Sequence, residues 1–281
     1  MKTLRRIILI LLACIFLFCG GIVISVKHKY KVNERLYRAA SDTYTSKNDE
    51  QASSGKRPAD DAASGAGKET AIRKDAVVAP IEVDFEALQE LNPEVIGWLY
   101  CADTRIDFPV CRADDNKYYI SHNYARKNSS YGAIFADCLN QADWSDSNII
   151  LYGHHLTDGS MFATLDKWLK QPFFDEHPVM WILTPEQDYK VELFSAYYIS
   201  AYDEAYTIFQ GPSPEFNEYL QYVKGNSMVG ADVFLDGEAK YVMLSTCAYV
   251  FSMARSVVHG KMIPVDSAGG VLIDQPVERA S

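Results

Sequence analysis

Six cysteines in 281 residues are too few to build a disulfide scaffold. None of them forms a CxxC pair, so neither a zinc knuckle nor a thioredoxin-type redox centre is expected. The chain has no HxxxH or HExxH spacing and no Gly-rich phosphate loop. Those gaps argue against a metal site and against nucleotide-driven chemistry, and no cofactor is expected. Basic residues are scarce: 27 Lys+Arg stand against 37 Asp+Glu, a formal net charge of −10. A general nucleic-acid binder needs the opposite balance. No internal repeat is visible, which leaves out solenoids. What is present is 48% hydrophobic and 12% aromatic content, enough for one substantial core and too much for wholesale disorder.

The acidic charge is unevenly placed. Residues 1–80 carry a net +6 and residues 81–281 a net −16. Lys2, Arg5 and Arg6 precede an uncharged apolar run over 7–26, which Lys27, Lys29 and Lys31 close. Twenty such residues match the length of a membrane-spanning helix. The expectation is an N-terminus of residues 1–6 in the cytoplasm and a single-pass signal anchor over 7–26. The body would then be extracellular at the cell membrane. Residues 27–80 read as a juxtamembrane segment, with a short helix over 30–40, and a flexible linker. The stretch 41–80 is rich in Ser, Gly, Ala and Asp and poor in large apolar residues.

The texture changes near residue 81. Phe85, Leu88 and Leu91 share a helical face. Eight short apolar or alternating runs follow, at 98–102, 106–110, 133–136, 149–152, 180–183, 190–200, 241–246 and 256–263. Helical stretches interrupt them at 161–170 and 214–224. This pattern predicts a mainly β domain over 81–265, a closed or nearly closed antiparallel barrel, with a loose tail over 266–281. Trp98, Trp144, Trp168 and Trp181 are expected in the core.

Cys247 stands out by its surroundings. It ends the apolar run from 241, and the next run opens at Arg255. If the two pair as a hairpin, thiol and guanidinium face each other at one end of the sheet. A guanidinium there would favour the thiolate and could hold an oxyanion. Cys101, Cys111 and Cys138 read as small buried hydrophobes, with a Cys101–Cys111 bridge as an alternative. In the segment 148–155 a strand ends at Gly153 and two histidines, His154 and His155, enter a loop. A histidine at a strand end suits acid/base work. His259 reads as structural, and His122 and His177 as surface or loop residues.

These residues carry a resemblance. Leu244-Ser245-Thr246-Cys247, with Arg255 eight residues on, resembles the signature of sortases, and Tyr152-Gly153-His154 resembles their histidine segment. Segments 116–120, 131–137 and 158–162 resemble class B members, as do the helix at 85–91 and the extra helix at 214–224 before the cysteine-bearing strand. The resemblance implies a closed eight-stranded barrel with an N-terminal helix and that additional helix. It also implies a cysteine transpeptidase of Gram-positive cell surfaces. Cys247 would form a thioester at the threonine of a C-terminal sorting pentapeptide carried by secreted proteins. His154 would act as acid and base, Arg255 would hold the oxyanion, and the acceptor would be a peptidoglycan-precursor amine. Ser245, Thr246, Asn116, Ile120 and Tyr206 would contact substrate. Ala248 and Tyr249 depart from the pattern, because no acidic residue directly follows the cysteine. Two other readings stay open: an inactive sortase-like binding module, and a Cys/His peptidase that releases surface proteins.

Overall fold

The computed structural model describes residues 2–48, 78–266 and 270–271; side chains 2–10, 13, 266, 270 and 271 are not described. The chain divides into two compact units, Met1–Thr43 and Tyr44–Ser281. Helix α1 (Lys2–Tyr44) accounts for the first, and the helix expected over 30–40 is its C-terminal part. Among the described residues no helix is long and apolar enough to cross a membrane. This finding corrects the single-pass anchor and the cell-membrane location built on it. The uncharged run of α1 ends at Val26. The same helix then continues unbroken through Lys27, Lys29, Lys31, Glu34, Arg35 and Arg38. The expected segments 1–6 and 7–10 lie outside the described side chains, and 49–77, 267–269 and 272–281 lie outside the described residues.

The second unit opens with an antiparallel ribbon in which β1 (Thr45–Lys47) pairs with β2 (Ile81–Val83). The Asp84 carboxylate accepts the Ala87 N–H at 3.0 Å and caps α2 (Phe85–Leu91), which buries Leu88. Four strands follow: β3 (Val95–Tyr100), β4 (Asp107–Cys111), β5 (Ile134–Ala136) and β6 (Asn148–Tyr152). A 3-10 helix (Phe162–Lys167) and α3 (Gln171–Glu176) lead to β7 (Val179–Leu183) and β8 (Asp188–Ser200). Helix α4 (Pro214–Gly225) precedes β9 (Lys240–Cys247) and β10 (Ala254–Asp266), and β11 (Gly270–Val271) adds a short edge to β10.

The barrel order is β10-β8-β7-β3-β4-β5-β6-β9, and β9 pairs back onto β10, so eight strands close. Each expected run falls on one of them. Two pairings, β4–β5 and β6–β9, are parallel, so the barrel is mixed and not antiparallel throughout. Long connections permit this, because parallel neighbours cannot be joined by a tight turn. The stretch at 161–170 forms a 3-10 turn. Phe162, Ala163, Thr164 and Leu165 are buried in succession, so it has no single apolar stripe for an α-helix to present.

Trp98, Trp144, Trp168 and Trp181 are buried. Three of the indoles donate within the protein: Trp98 to Asp107 Oδ1, Trp144 to the Ile96 carbonyl and Trp168 to the His177 carbonyl, at 2.8–2.9 Å. Helix α4 begins at Ser213, whose Oγ accepts the Phe216 N–H at 3.1 Å. It packs Phe216, Tyr219, Leu220 and Val223 against Ile150, Phe194, Met243 and Val257 of the barrel wall. Cys101 and Cys111 are unbridged buried thiols at opposite ends of the β3–β4 hairpin. Burial pushes the Cys101 thiol up to about 11 and the Cys111 thiol higher still.

Buried Asn140 shapes the approach to β6. Its Nδ2 donates to Asp146 Oδ2 and to the Asn148 carbonyl, and its Oδ1 accepts the Ile150 N–H, all within 3.0 Å. Asn140→Ala strands these groups and is expected to lower unfolding free energy by about 2–4 kcal/mol, read from urea midpoints. His259 is buried and stacks on Tyr197 at 5.5 Å. Burial lowers its pKa from 6.5 to about 3. Below pH 6.5 the unfolded chain takes up a proton that the folded state refuses until about pH 3, so stability falls across that window. His259→Phe is expected to flatten this decline, seen by comparing urea midpoints at neutral pH and near pH 4.5.

Candidate active site

The register of β9 and β10 sets Arg255 opposite Cys247, with Ser245 opposite Val257 and Thr246 opposite Ser256. Alternation then puts Ser245, Cys247, Arg255 and Val257 on one face of the sheet, and Thr246 and Ser256 on the other. On its second edge β9 runs parallel to β6, with Tyr152 opposite Ser245. The chain leaving β6 therefore travels beside the end of β9. The Gly153 N–H donates to the Ser245 carbonyl at 3.2 Å, and Thr246 Oγ1 donates to the Gly153 carbonyl at 2.8 Å. A side chain at Gly153 would lie 2.5 Å from Ile134 Cδ1 and 2.7 Å from the Phe162 ring, so only glycine fits this crossing.

His154 follows, and its Nε2 lies 2.8 Å from the Ile120 carbonyl. A carbonyl only accepts, so Nε2 carries the proton and Nδ1 is left to take or give one. Gly132, at φ +61°, lies beneath this contact. A Cβ there would sit 2.5 Å from the Tyr119 carbonyl and 3.0 Å from both the His154 ring and the Ile120 carbonyl.

One cavity of about 290 Å³ is lined by Asn116, Ile120, His154, Ser245, Thr246, Cys247 and Arg255, together with Phe135, Tyr152 and Gly153. The structure thus gathers seven of the eight expected residues, from segments far apart in the chain. The eighth, Tyr206, lines a neighbouring cavity of about 430 Å³ with Asp137, Leu139, Ala201 and Ile208, and Tyr152 and Arg255 border both. Tyr206 and Ser245 hydroxyls lie 2.8 Å apart, which ties the two walls together. Burial raises the Tyr206 pKa above its ordinary value, so it stays a neutral phenol.

Asn116 is held at both ends of its amide. Its Nδ2 donates to Asp137 Oδ2 at 2.9 Å, and its Oδ1 accepts the Cys138 N–H at 2.8 Å. Tyr152 also donates to Asp137 Oδ2, at 2.8 Å. The cavity wall is therefore fixed by a hydrogen-bonded carboxylate. Asp137 lies within the segment 131–137, but nothing in the sequence assigned it a task. Ala201 and Ile208 come from the β8–α4 connection, where the pattern carried no signal.

The paired histidines separate. His154 enters the cavity, whereas His155 Nε2 lies 2.9 Å from Asp166 Oδ2 and its ring meets Tyr249 edge-on at 5.4 Å. His259 shares the face of Arg255 but is packed between Phe194 and Tyr197. His122 stacks on Tyr118, and His177 packs against Trp168 and Phe173.

No model of a known protein family matches the chain. Sortase B of Listeria monocytogenes is 37% identical over 183 residues, 64% of this chain and 74% of that protein. Among solved structures, sortase B from B. anthracis in complex with AAEK1 matches with a TM-score of 0.66 at 28% identity, covering 84% of this chain and 99% of the other. A Staphylococcus aureus sortase B–substrate complex matches with a TM-score of 0.61 at 30% identity, covering 65% and 85%. With that identity over three quarters of a curated relative and the same closed barrel, the chain belongs to the class B sortases, a family of cysteine transpeptidases.

Proposed function

We propose that this transpeptidase, with 81–265 as its catalytic domain, cleaves a C-terminal sorting signal after threonine and joins the protein to a peptidoglycan-precursor amine. The observation that carries this reading is the meeting of Cys247, His154 and Arg255 around one cavity. The Cys247 thiolate attacks the threonine carbonyl, and the tetrahedral oxyanion is held by the Arg255 guanidinium. His154 protonates the departing amine as the C–N bond breaks, leaving a thioester on Cys247. The acceptor amine then attacks the thioester carbonyl, gives a proton to His154 and releases the thiolate. The thioester conserves the energy of the cleaved peptide bond, so the exchange needs no nucleotide.

Substrate is seated by Asn116, Ile120, Ser245 and Tyr206 in this reading. Thr246, whose hydroxyl is engaged by the Gly153 carbonyl, steadies the strand end beneath His154. The S. aureus sortase B–substrate complex supports a substrate-binding role for this chain. Peptide release without transfer shares the same acyl-enzyme, so product analysis with and without an amine acceptor separates it from transpeptidation.

The full chain is expected to cleave a sorting-signal peptide, with hydroxylamine raising turnover by intercepting the thioester. Cys247→Ala is expected to abolish both cleavage and transfer, measured by chromatography of the products; retained turnover would sink the assignment. Gly132→Ala presses on the His154–Ile120 contact and is expected to cut kcat by about 10-fold. Steady-state kinetics beside thermal melts would check this, and unchanged kcat would mean that the contact does not set the position of His154.

A further inference from the structure

Outside the cavity, one carboxylate joins the 3-10 helix to the segments that follow His154 and Arg255. Asp166, on the 3-10 helix, lies with Oδ2 2.9 Å from His155 Nε2 and accepts the Ser256 hydroxyl on Oδ1 at 2.5 Å. His155 directly follows His154, and Ser256 directly follows Arg255. Ser256 is fully buried and pairs across the ladder with Thr246, the residue before Cys247. Thr246 in turn donates to Gly153, the residue before His154. The contacts form a circuit: Asp166 to His155, along the backbone to Gly153, across to Thr246, over the ladder to Ser256 and back to Asp166. The 3-10 helix is also tied to this circuit, because the Phe162 N–H donates to the His154 carbonyl at 3.0 Å.

We propose that Asp166 is a positioning residue that fixes His154 relative to the Cys247–Arg255 pair by holding His155 and Ser256 at once. This deepens the reading given under Proposed function and rests on it. The side chain is suited to the task because an ionised carboxylate is acceptor-only and offers one oxygen to each donor. An amide has a single acceptor oxygen and no charge, so it can keep both partners only if the Ser256 hydroxyl turns round to accept, with weaker bonds to each. His155 depends on this bond: its other ring nitrogen, Nδ1, is buried without a hydrogen-bond partner among the described residues. Asp166 does not line the cavity, so its influence passes through its neighbours and not through substrate. A misplacement of reacting groups by about 1 Å can cost about 100-fold in rate.

The test uses the full chain, a sorting-signal peptide and an amine acceptor, with kcat, KM and melting temperature recorded for each variant. Asp166→Ala is expected to lower kcat by about 10-fold or more with KM within about two-fold, Asp166→Asn to lower it by about three-fold or more, and Asp166→Glu to recover part of the loss. Asp107→Asn, which weakens the buried Trp98 contact on a distant strand, serves as the matched control. It is expected to lower the melting temperature while leaving kcat within about two-fold. The proposal is overturned if kcat of the Asp166 variants stays within about two-fold of the native value. It is equally overturned if KM alone rises, or if Asp107→Asn loses as much kcat for the same drop in melting temperature. Ser256→Ala, which removes one donor and leaves the carboxylate, is expected to show a smaller kcat loss of the same kind, and an unchanged kcat there counts against the circuit. Activity remaining in Cys247→Ala would instead overturn the underlying reading, so the two failures are distinguishable.

Discussion

The ladder between β9 and β10 is the constraint on which the site depends. It closes the barrel, and its register sets Arg255 opposite Cys247. Side chains alternate along a strand, so a slip of one residue would send the thiol to the face now held by Thr246 and Ser256. The ladder is not free to slip. β10 is paired on its other side with β8 over nearly its whole length, and β9 is paired on its other side with β6. The face carrying Cys247 and Arg255 also carries Val257 and Met243, which pack beneath α4. Burial of that helix and placement of the thiol are therefore the same structural decision.

Around this fixed pair the site is built from neutral or tightly held polar groups. Tyr206 and Tyr152 are pushed towards the neutral phenol by burial, and Tyr152 is pushed further by the Asp137 carboxylate beside it. Asp137 is engaged by Asn116, Tyr152 and the Leu139 N–H, so its charge is committed to the wall. The arginine borders both cavities and is their shared cation. A negative charge developing on a bound carbonyl thus meets one guanidinium in surroundings that are otherwise hydrogen-bonded among themselves.

Much of this was legible in the sequence because the signals are local. Eight apolar runs marked the eight barrel strands, and the seven residues between Cys247 and Arg255 fit a hairpin loop that sets the two side chains opposite. The rest depends on contacts that no local pattern encodes. The parallel pairings β4–β5 and β6–β9 join segments separated by long connections, so strand order could not be read from spacing. His154 was singled out from His155 only because it follows Gly153; in the structure Gly132 beneath one and Asp166 beside the other set their different surroundings. The apolar run over 7–26 looked like a span. Among the described residues no helix is long and apolar enough to cross a membrane, and a run of apolar letters alone did not foretell that.

The parallel pairing of β6 with β9 has a consequence for the order in which the molecule assembles. The β9–β10 hairpin is a local structure and can form from neighbouring chain. Leu151 and Leu244, partners in the parallel ladder, can meet only after the intervening strands and helices have been gathered, which costs loop-closure entropy before any contact rewards it. Loop-closure entropy alone therefore favours the meeting of Cys247 and Arg255 over the arrival of His154. A half-folded chain carries a thiol beside a guanidinium but has no proton donor for a leaving amine. Such a chain cannot complete acyl transfer until the β6–β9 ladder closes.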